Sequence, residues 1–231
     1  MTYEEFKRLF KVSKENIYRE ILLDNRHSIR IKKENTVIKN LEKIFEAMLE
    51  ISSRKGFQAM SMRDLSRSSG LSMGALYSYF SGKAALMDML RHQLENTIKR
   101  IFQERLNPEM DPLVKLRTAI ETHLYLSEAM RLWFYFSYME SKNMNRGERE
   151  KAMAAELGTE KIFIDILNEG RKKGAFRRQD PYLTAAAIKA VLQDWYLKRW
   201  KYSGRSISVD QYAKFLIELI EAFVLPAPLE S

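Results

Sequence analysis

The sequence predicts an all-α protein, and three observations predict it. Apolar residues recur at steps of three and four along nearly the whole chain, the spacing of one face of an α-helix. No segment shows the sustained alternation of β-branched residues that a half-buried strand requires. Helix punctuation falls between the periodic stretches, with Ser or Asp before them and Gly or Pro after. A chain of 231 residues, 45% hydrophobic and 11% aromatic, with nine glycines and five prolines, can bury a sizeable core, which excludes the disordered and fibrous classes.

At the N-terminus, Thr2 and Glu5 read as a capping box ahead of Phe6, Leu9 and Phe10, and Ser13 as the cap of a helix carrying Ile17, Ile21 and Leu22. Arg26, Arg30, Lys32 and Lys33 then form a basic link, which either lies with the extension against the protein, its charges solvated, or meets a polyanion. Val37, Leu41, Ile44, Phe45, Met48 and Ile51 make the next apolar stripe, which stops before Gly56. Ser61 caps a short helix from Met62 to about Ser69, Gly70 ends it, and Ser72 caps a second running to about Phe80. A longer helix starts near Lys83 and reaches about Arg105, stopped by Asn107-Pro108. Asp111-Pro112 opens another, which continues to about Met139 with a break near Ala129. The last three read as Glu148 to Lys173, Pro181 to about Tyr202, and Ser208 to Val224.

The charge is uneven. Of the formal +9, residues 1–35 carry +3, residues 36–105 carry +4 and residues 106–231 only +2, so a polyanion is expected to meet the first 105 residues. There are no cysteines, and the three histidines, His27, His92 and His123, fall in different predicted segments. No metalloprotease motif, phosphate loop or nucleophile elbow is present, so the chain is expected to be neither an enzyme nor a holder of a metal or cofactor. The longest uncharged apolar run, Leu132 to Met139, is too short for a membrane span, and Glu4 and Glu5 stand where a signal peptide would be apolar; a cytoplasmic protein is expected.

Chemistry concentrates in Ser61 to Lys83. A helix-turn-helix needs a small residue where its helices touch, a residue tolerant of positive φ at the turn, and apolar side chains that lock the second helix on the first. Ser66, Gly70, and Leu65 with Leu71 and Leu76 meet those demands. In the second helix Gly74, Tyr77 and Ser78 share one face, roughly opposite Leu76 and Phe80. Glycine inside a helix costs about 1 kcal/mol against alanine, so Gly74 invites a compensating role: letting DNA approach the backbone. Tyr77 and Tyr79 can donate to phosphates, Lys83 adds a cation, and Met73, Ala75 and Ser78 can touch base edges. The rival reading is a helical small-molecule or protein-interaction module whose helix-turn-helix does not meet DNA.

Residues 36–90 closely resemble the N-terminal domain of the tetracycline-repressor (TetR/AcrR) family of bacterial regulators. The resemblance rests on the helix from Val37 to Lys55, Gly56-Phe57, M-R-D-L at Met62 to Leu65, and G-L-S-M-G-A-L-Y-S-Y-F at Gly70 to Phe80, followed by Lys83 and Leu86. It implies an all-helical homodimer: an N-terminal three-helix DNA-binding domain and a larger helical ligand-binding and dimerisation domain. The expected division is 1–35 as a helical extension, 36–82 as the DNA-binding domain and 83–231 as the rest. The implied DNA-contacting set is Ser61, Arg63, Ser72, Met73, Gly74, Ala75, Tyr77, Ser78, Tyr79 and Lys83. Two features depart from the family pattern. Position 73, commonly lysine in the family, is Met73, and the stretch before the motif far exceeds the usual short arm.

In the C-terminal half, Ile188, Val191, Leu192, Trp195 and Tyr196 mark one stripe, and Tyr212, Phe215, Leu216, Leu219, Ile220 and Phe223 another. Two such helices suit a symmetric four-helix interface with a second copy, and two-fold symmetry predicts a palindromic operator. Leu132 to Met139 is aromatic at five of eight positions, which predicts burial on several sides, either as plain core or as the wall of a cavity for a hydrophobic effector. The candidate effector contacts are His123, Trp133, Tyr135, Tyr138 and Trp195. The resemblance implies that a bound effector releases the operator through a shift of the helix from Lys83 to Arg105.

Overall fold

The computed structural model describes residues 1–26, 29, 33–140 and 146–226. The described residues form twelve α-helices and no strand: α1 (Tyr3–Leu9), α2 (Lys14–Asp24), α3 (Glu34–Lys55), α4 (Met62–Ser69), α5 (Met73–Tyr77), α6 (Lys83–Arg105), α7 (Pro112–Ala129), α8 (Arg131–Glu140), α9 (Arg146–Lys172), α10 (Pro181–Leu197), α11 (Arg199–Ser203) and α12 (Val209–Val224). Most boundaries follow local chemistry. The Ser13 side chain accepts from Asn16 N at 3.3 Å, Asp111 and Asp180 cap helices that begin with proline, and Ser208 forms a capping box with Gln211. Thr2 and Glu5 exchange hydrogen bonds at 2.8 and 3.3 Å, the reciprocal pattern expected there.

Three elements differ from expectation. The stretch from Pro181 breaks at Lys198 into α10 and α11. The break brings Tyr202 back onto Trp195 and Tyr212, with ring centroids 5.0 and 4.8 Å apart, so aromatic packing overrides helix continuity. Helix α5 ends at Tyr77, three residues early. Helix α8 is not buried all round: Trp133, Phe134 and Phe136 are buried, whereas Leu132, Tyr135, Tyr138 and Met139 are exposed.

The chain divides into two compact units. One holds the described residues of Lys7–Thr97 and Leu132–Arg149, the other Met1–Phe6, Ile98–Arg131 and the described residues from Glu150 onward. In the first unit α3 packs on α2 and α4, and α4 on α5. Its core is built from Val37, Leu41, Ile44, Phe45 and Met48 of α3 with Leu65, Leu76, Leu86 and Leu90, all fully buried. Tyr18 of α2 stacks on Phe45 at 5.9 Å, so the extension is part of this core rather than a tail. In the second unit α7 packs against α10 and α12, and buried Phe6 lies 5.4 Å from the Tyr125 ring. Tyr125 Oη also donates to Asp210 Oδ1 at 2.7 Å, and Tyr3 N donates to the same oxygen at 2.9 Å.

Candidate nucleic-acid interface and effector site

Helices α4 and α5 are held by side chains that satisfy backbone groups locally. Ser61 Oγ accepts from Asp64 N at 3.1 Å, while Asp64 Oδ2 accepts from Ser61 N at 2.8 Å, closing the capping box. Lys55 Nζ reaches the same carboxylate at 2.8 Å; this bond, with those from Ser61, holds the Asp64 pKa well below the carboxylate range. Gly70 ends α4 with φ 70 and ψ 14, the left-handed region where a side chain is strained. Ser66 Oγ then donates to Leu71 O at 2.6 Å across the turn, and Ser72 Oγ accepts from Ala75 N at 3.1 Å to open α5. Leu65 and Leu76 are fully buried and lock the pair, as their spacing predicts.

The free face then carries most of the predicted contacts. Ser61, Arg63, Ser72, Gly74 and Tyr77 are exposed, Tyr77 at 48%; Met73, Ala75 and Ser78 are half-buried. The Ser78 hydroxyl donates to Ala75 O at 2.6 Å, so a base contact would have to share it. Lys83 Nζ donates to Gln58 O at 2.8 Å and sits 5.1 Å from the Phe57 ring centroid; desolvation there lowers its pKa, against the pull of Glu140. That carboxylate itself accepts from Phe57 N at 3.1 Å.

Tyr79 needs correction as a phosphate donor: it is 1% exposed, and its hydroxyl accepts from Asn40 Nδ2 at 2.8 Å. Tyr79 N and Phe80 N both donate to Leu76 O, at 3.0 and 3.3 Å, and both side chains enter the core. The i, i+3, i+4 spacing of Leu76, Tyr79 and Phe80 sets all three on the buried side.

Sequence reasoning missed other cations. Arg67 lies one turn beyond Arg63 on α4; both are exposed and neither pairs with a carboxylate among the described residues. On α3, exposed Thr36 and Lys43 share the stripe of Asn40, which the Tyr79 contact brings to the α5 end of the unit. The i, i+4 spacing of Arg63 and Arg67 was the available signal. In the N-terminal basic link, Arg26 Nη2 lies 3.7 Å from Glu34 and Lys33 precedes α3 with extended backbone; Arg30 and Lys32 lie outside the described residues.

The five candidate effector contacts do not share a unit. Trp133, Tyr135 and Tyr138 belong to the first, where Trp133 packs 5.1 Å from Phe45 as core and the two tyrosines are exposed. Trp195 is fully buried in the second, its Nε1 donating to Glu128 Oε2 at 2.9 Å and its ring lying 5.0 Å from Tyr212. This places Trp195 in an aromatic cluster rather than a binding wall. His123 is different. Buried on α7, its Nε2 faces Lys189 Nζ of α10 at 3.1 Å, and that ammonium also donates to Thr159 Oγ1 of α9 at 2.8 Å. An ammonium accepts nothing, so Nε2 is the acceptor and the ring proton sits on Nδ1. Burial, then the Lys189 charge, push the His123 pKa well below the usual histidine value. Among the described residues no group of three His, Cys, Asp or Glu is placed to hold a metal ion, and no helix is long and apolar enough to cross a membrane.

Residues 44–90 match the family model for bacterial regulatory proteins of the tetR family, and residues 109–223 match that for a tetracyclin repressor-like C-terminal domain. The chain belongs to the TetR family of transcriptional regulators. This TetR-family regulator is 24% identical over 193 residues to the HTH-type transcriptional repressor KstR2 of Mycobacterium tuberculosis, covering 77% of this chain and 88% of the relative. The structure of that ketosteroid transcriptional regulator superposes with a TM-score of 0.72 at 16% identity, over 87% of this chain and 99% of the other. The regulator FadR from Bacillus subtilis, in complex with stearoyl-CoA, superposes with a TM-score of 0.61 at 20% identity over 78% and 96%. At these identities the superpositions establish the fold.

Proposed function

We propose that this TetR-family regulator is a cytoplasmic repressor that binds a palindromic operator as a homodimer and leaves it when a hydrophobic effector binds. The observation that carries DNA binding is the free face of α5: exposed Gly74 and Tyr77, bordered by Arg63 and Arg67 of α4. Tyr77, Arg63 and Arg67 take phosphates, Met73 and Ala75 approach thymine methyl groups, and Gly74 lets the strand close on the backbone. Thr36 and Lys43 extend the phosphate track, offsetting the cation missing at Met73.

For the dimer, α12 has two apolar faces. Tyr212, Leu216 and Ile220 are buried within the unit, while Phe215, Leu219 and Phe223, one turn apart from each other, are exposed. That second stripe has the spacing of a helix meeting its two-fold mate. A hydrophobic effector accords with the ketosteroid and stearoyl-CoA descriptions of the two structural neighbours. A 100-fold release of operator needs about 2.8 kcal/mol of coupling.

Selection from a random duplex library, followed by titration of the selected duplex over a range of salt, tests the reading. The expected result is a palindrome with half-sites about one turn, ~34 Å, apart and a negative log–log salt slope. A chain that shows no preference for any duplex, or no salt dependence, refutes it and favours the protein-interaction module.

A further inference from the structure

We infer that the buried Lys189 ammonium is the anchor for an organic carboxylate borne on an apolar skeleton, which takes the place now held by Glu156. The inference rests on the reading of the second unit as the effector domain, and it names the ligand class and the group that selects it.

Lys189 sits in mid-α10 with its side chain only 4% exposed, and its three donors have three partners: His123 Nε2, Thr159 Oγ1 and Glu156 Oε1 at 3.3 Å. A second buried lysine of the same unit provides the contrast. Lys115 Nζ binds both oxygens of Glu169, at 2.9 and 2.7 Å, and Pro108 O at 2.7 Å, so it ties α7 to α9 and to the turn before it. Lys189 has instead one long contact to one carboxylate oxygen and two neutral acceptors. An ammonium placed so deep against so weak an anion does little for stability, since apolar side chains of similar volume are commonly as good or better there. Such a group is a functional-site candidate.

The three partners differ in how readily they can leave. His123 projects from α7 into the packed interior and stays neutral beside the cation, while Thr159 is half-buried on α9, its hydroxyl also donating to Glu156 O at 2.8 Å. The Glu156 side chain is 43% exposed and is otherwise held by Gln193 Nε2 at 2.8 Å. It is therefore the one charged group among the three partners, with Glu160 adding a further negative charge nearby. Replacing it by a ligand carboxylate exchanges one anion for another, so the buried cation is never left unpaired, and the displaced Glu156 turns into water at small cost. Gln193 can donate to the incoming oxygen in its place. On the same flank of α9, Met153 and Leu157 are exposed at positions three before and one after Glu156, an apolar border that suits a hydrocarbon skeleton rather than a small hydrophilic anion.

Calorimetry on the full chain in the absence of DNA tests this with three carboxylates, laurate, 4-phenylbutyrate and cholate, each against its methyl ester. At least one acid is expected to bind, about tenfold or more tighter than its ester, a margin that Lys189→Met removes. Glu156→Gln is expected to tighten the acid several-fold by removing its competitor and to leave the ester unchanged; this variant keeps the cation and is informative even if Lys189→Met fails to fold. No heat from any acid, equal binding of acid and ester, or weaker acid binding in Glu156→Gln overturns the inference. Operator affinity is measured separately: if operator binds but no acid does, this inference alone falls. If an acid binds as described while operator affinity ignores it, the anchor stands and the release mechanism falls.

Discussion

Gly74 offers a sharp separation of stability from function. A Cβ built at this position meets no atom within 4 Å, so alanine introduces no clash within the chain. Alanine in place of a helical glycine gains up to about 1 kcal/mol, less near a helix end, and for a chain of this size each kcal/mol raises Tm by roughly 2–4 °C. Yet the added methyl stands on the face proposed to receive the DNA backbone, where a contact displaced outward loses hydrogen bonds worth a tenfold affinity change, about 1.4 kcal/mol, or more. Gly74→Ala is therefore expected to be as stable as the parent or more so, and to bind the selected operator at least tenfold more weakly. Gly158→Ala is the control: it is also an exposed glycine inside a helix with no atom within 4 Å, so it should gain stability without changing operator affinity. Denaturant titration and fluorescence anisotropy with labelled operator read the two quantities. Unchanged operator affinity in Gly74→Ala would falsify the claim that this glycine admits DNA, and a drop in stability would mean that it serves packing instead.

The other predictions use different groups. Tyr77→Phe should weaken operator binding and leave Tm unchanged, whereas Tyr79→Phe loses the bond from Asn40, costing about 0.5–1.5 kcal/mol of stability with operator affinity unchanged; a reversal of the two phenotypes in paired melts and gel shifts would refute the assignment. At Gly170 a Cβ would lie 2.0 Å from Cδ2 of buried Phe176, so Gly170→Ala should destabilise by about 1–3 kcal/mol or more, and adding Phe176→Leu should recover part of it in the same melts. Below the ordinary histidine pKa of 6.5 the unfolded chain takes up a proton at His123 that the folded chain resists. Stability is thus expected to fall as pH drops below about 6.5, and His123→Asn should flatten that part of a Tm-against-pH curve; an unchanged slope would refute it.

What the residues announce locally was legible. Ser61, Ser72, Asp111 and Ser208 cap helices because an Oγ or Oδ two or three residues away satisfies an exposed N–H, and that chemistry is complete within one turn. Gly70 takes positive φ because the turn demands it, and the motif around it is long enough to name the family. Tyr79 was misread because its hydroxyl was weighed as a phosphate donor, although its i+3 spacing from Leu76 sets it on the buried face with Leu76 and Phe80, where Asn40 takes the hydroxyl. Helix α8 was misread for the converse reason: five aromatic residues in eight promised burial, but the first unit offers packing partners, Phe45 and Phe57 among them, to one side only.

By itself, then, the sequence determined the all-α class, most helix ends, the helix-turn-helix and the family, since periodicity, caps and a gapless motif act over a few residues. Tertiary structure alone decided which apolar faces stay exposed, and that Phe6 packs with Tyr125 while Tyr18 packs with Phe45. It also joined His123, Thr159 and Lys189, which stand on three helices and 66 residues apart at the extremes. No local pattern encodes that meeting, because the desolvation that makes it consequential exists only once α7, α9 and α10 have packed.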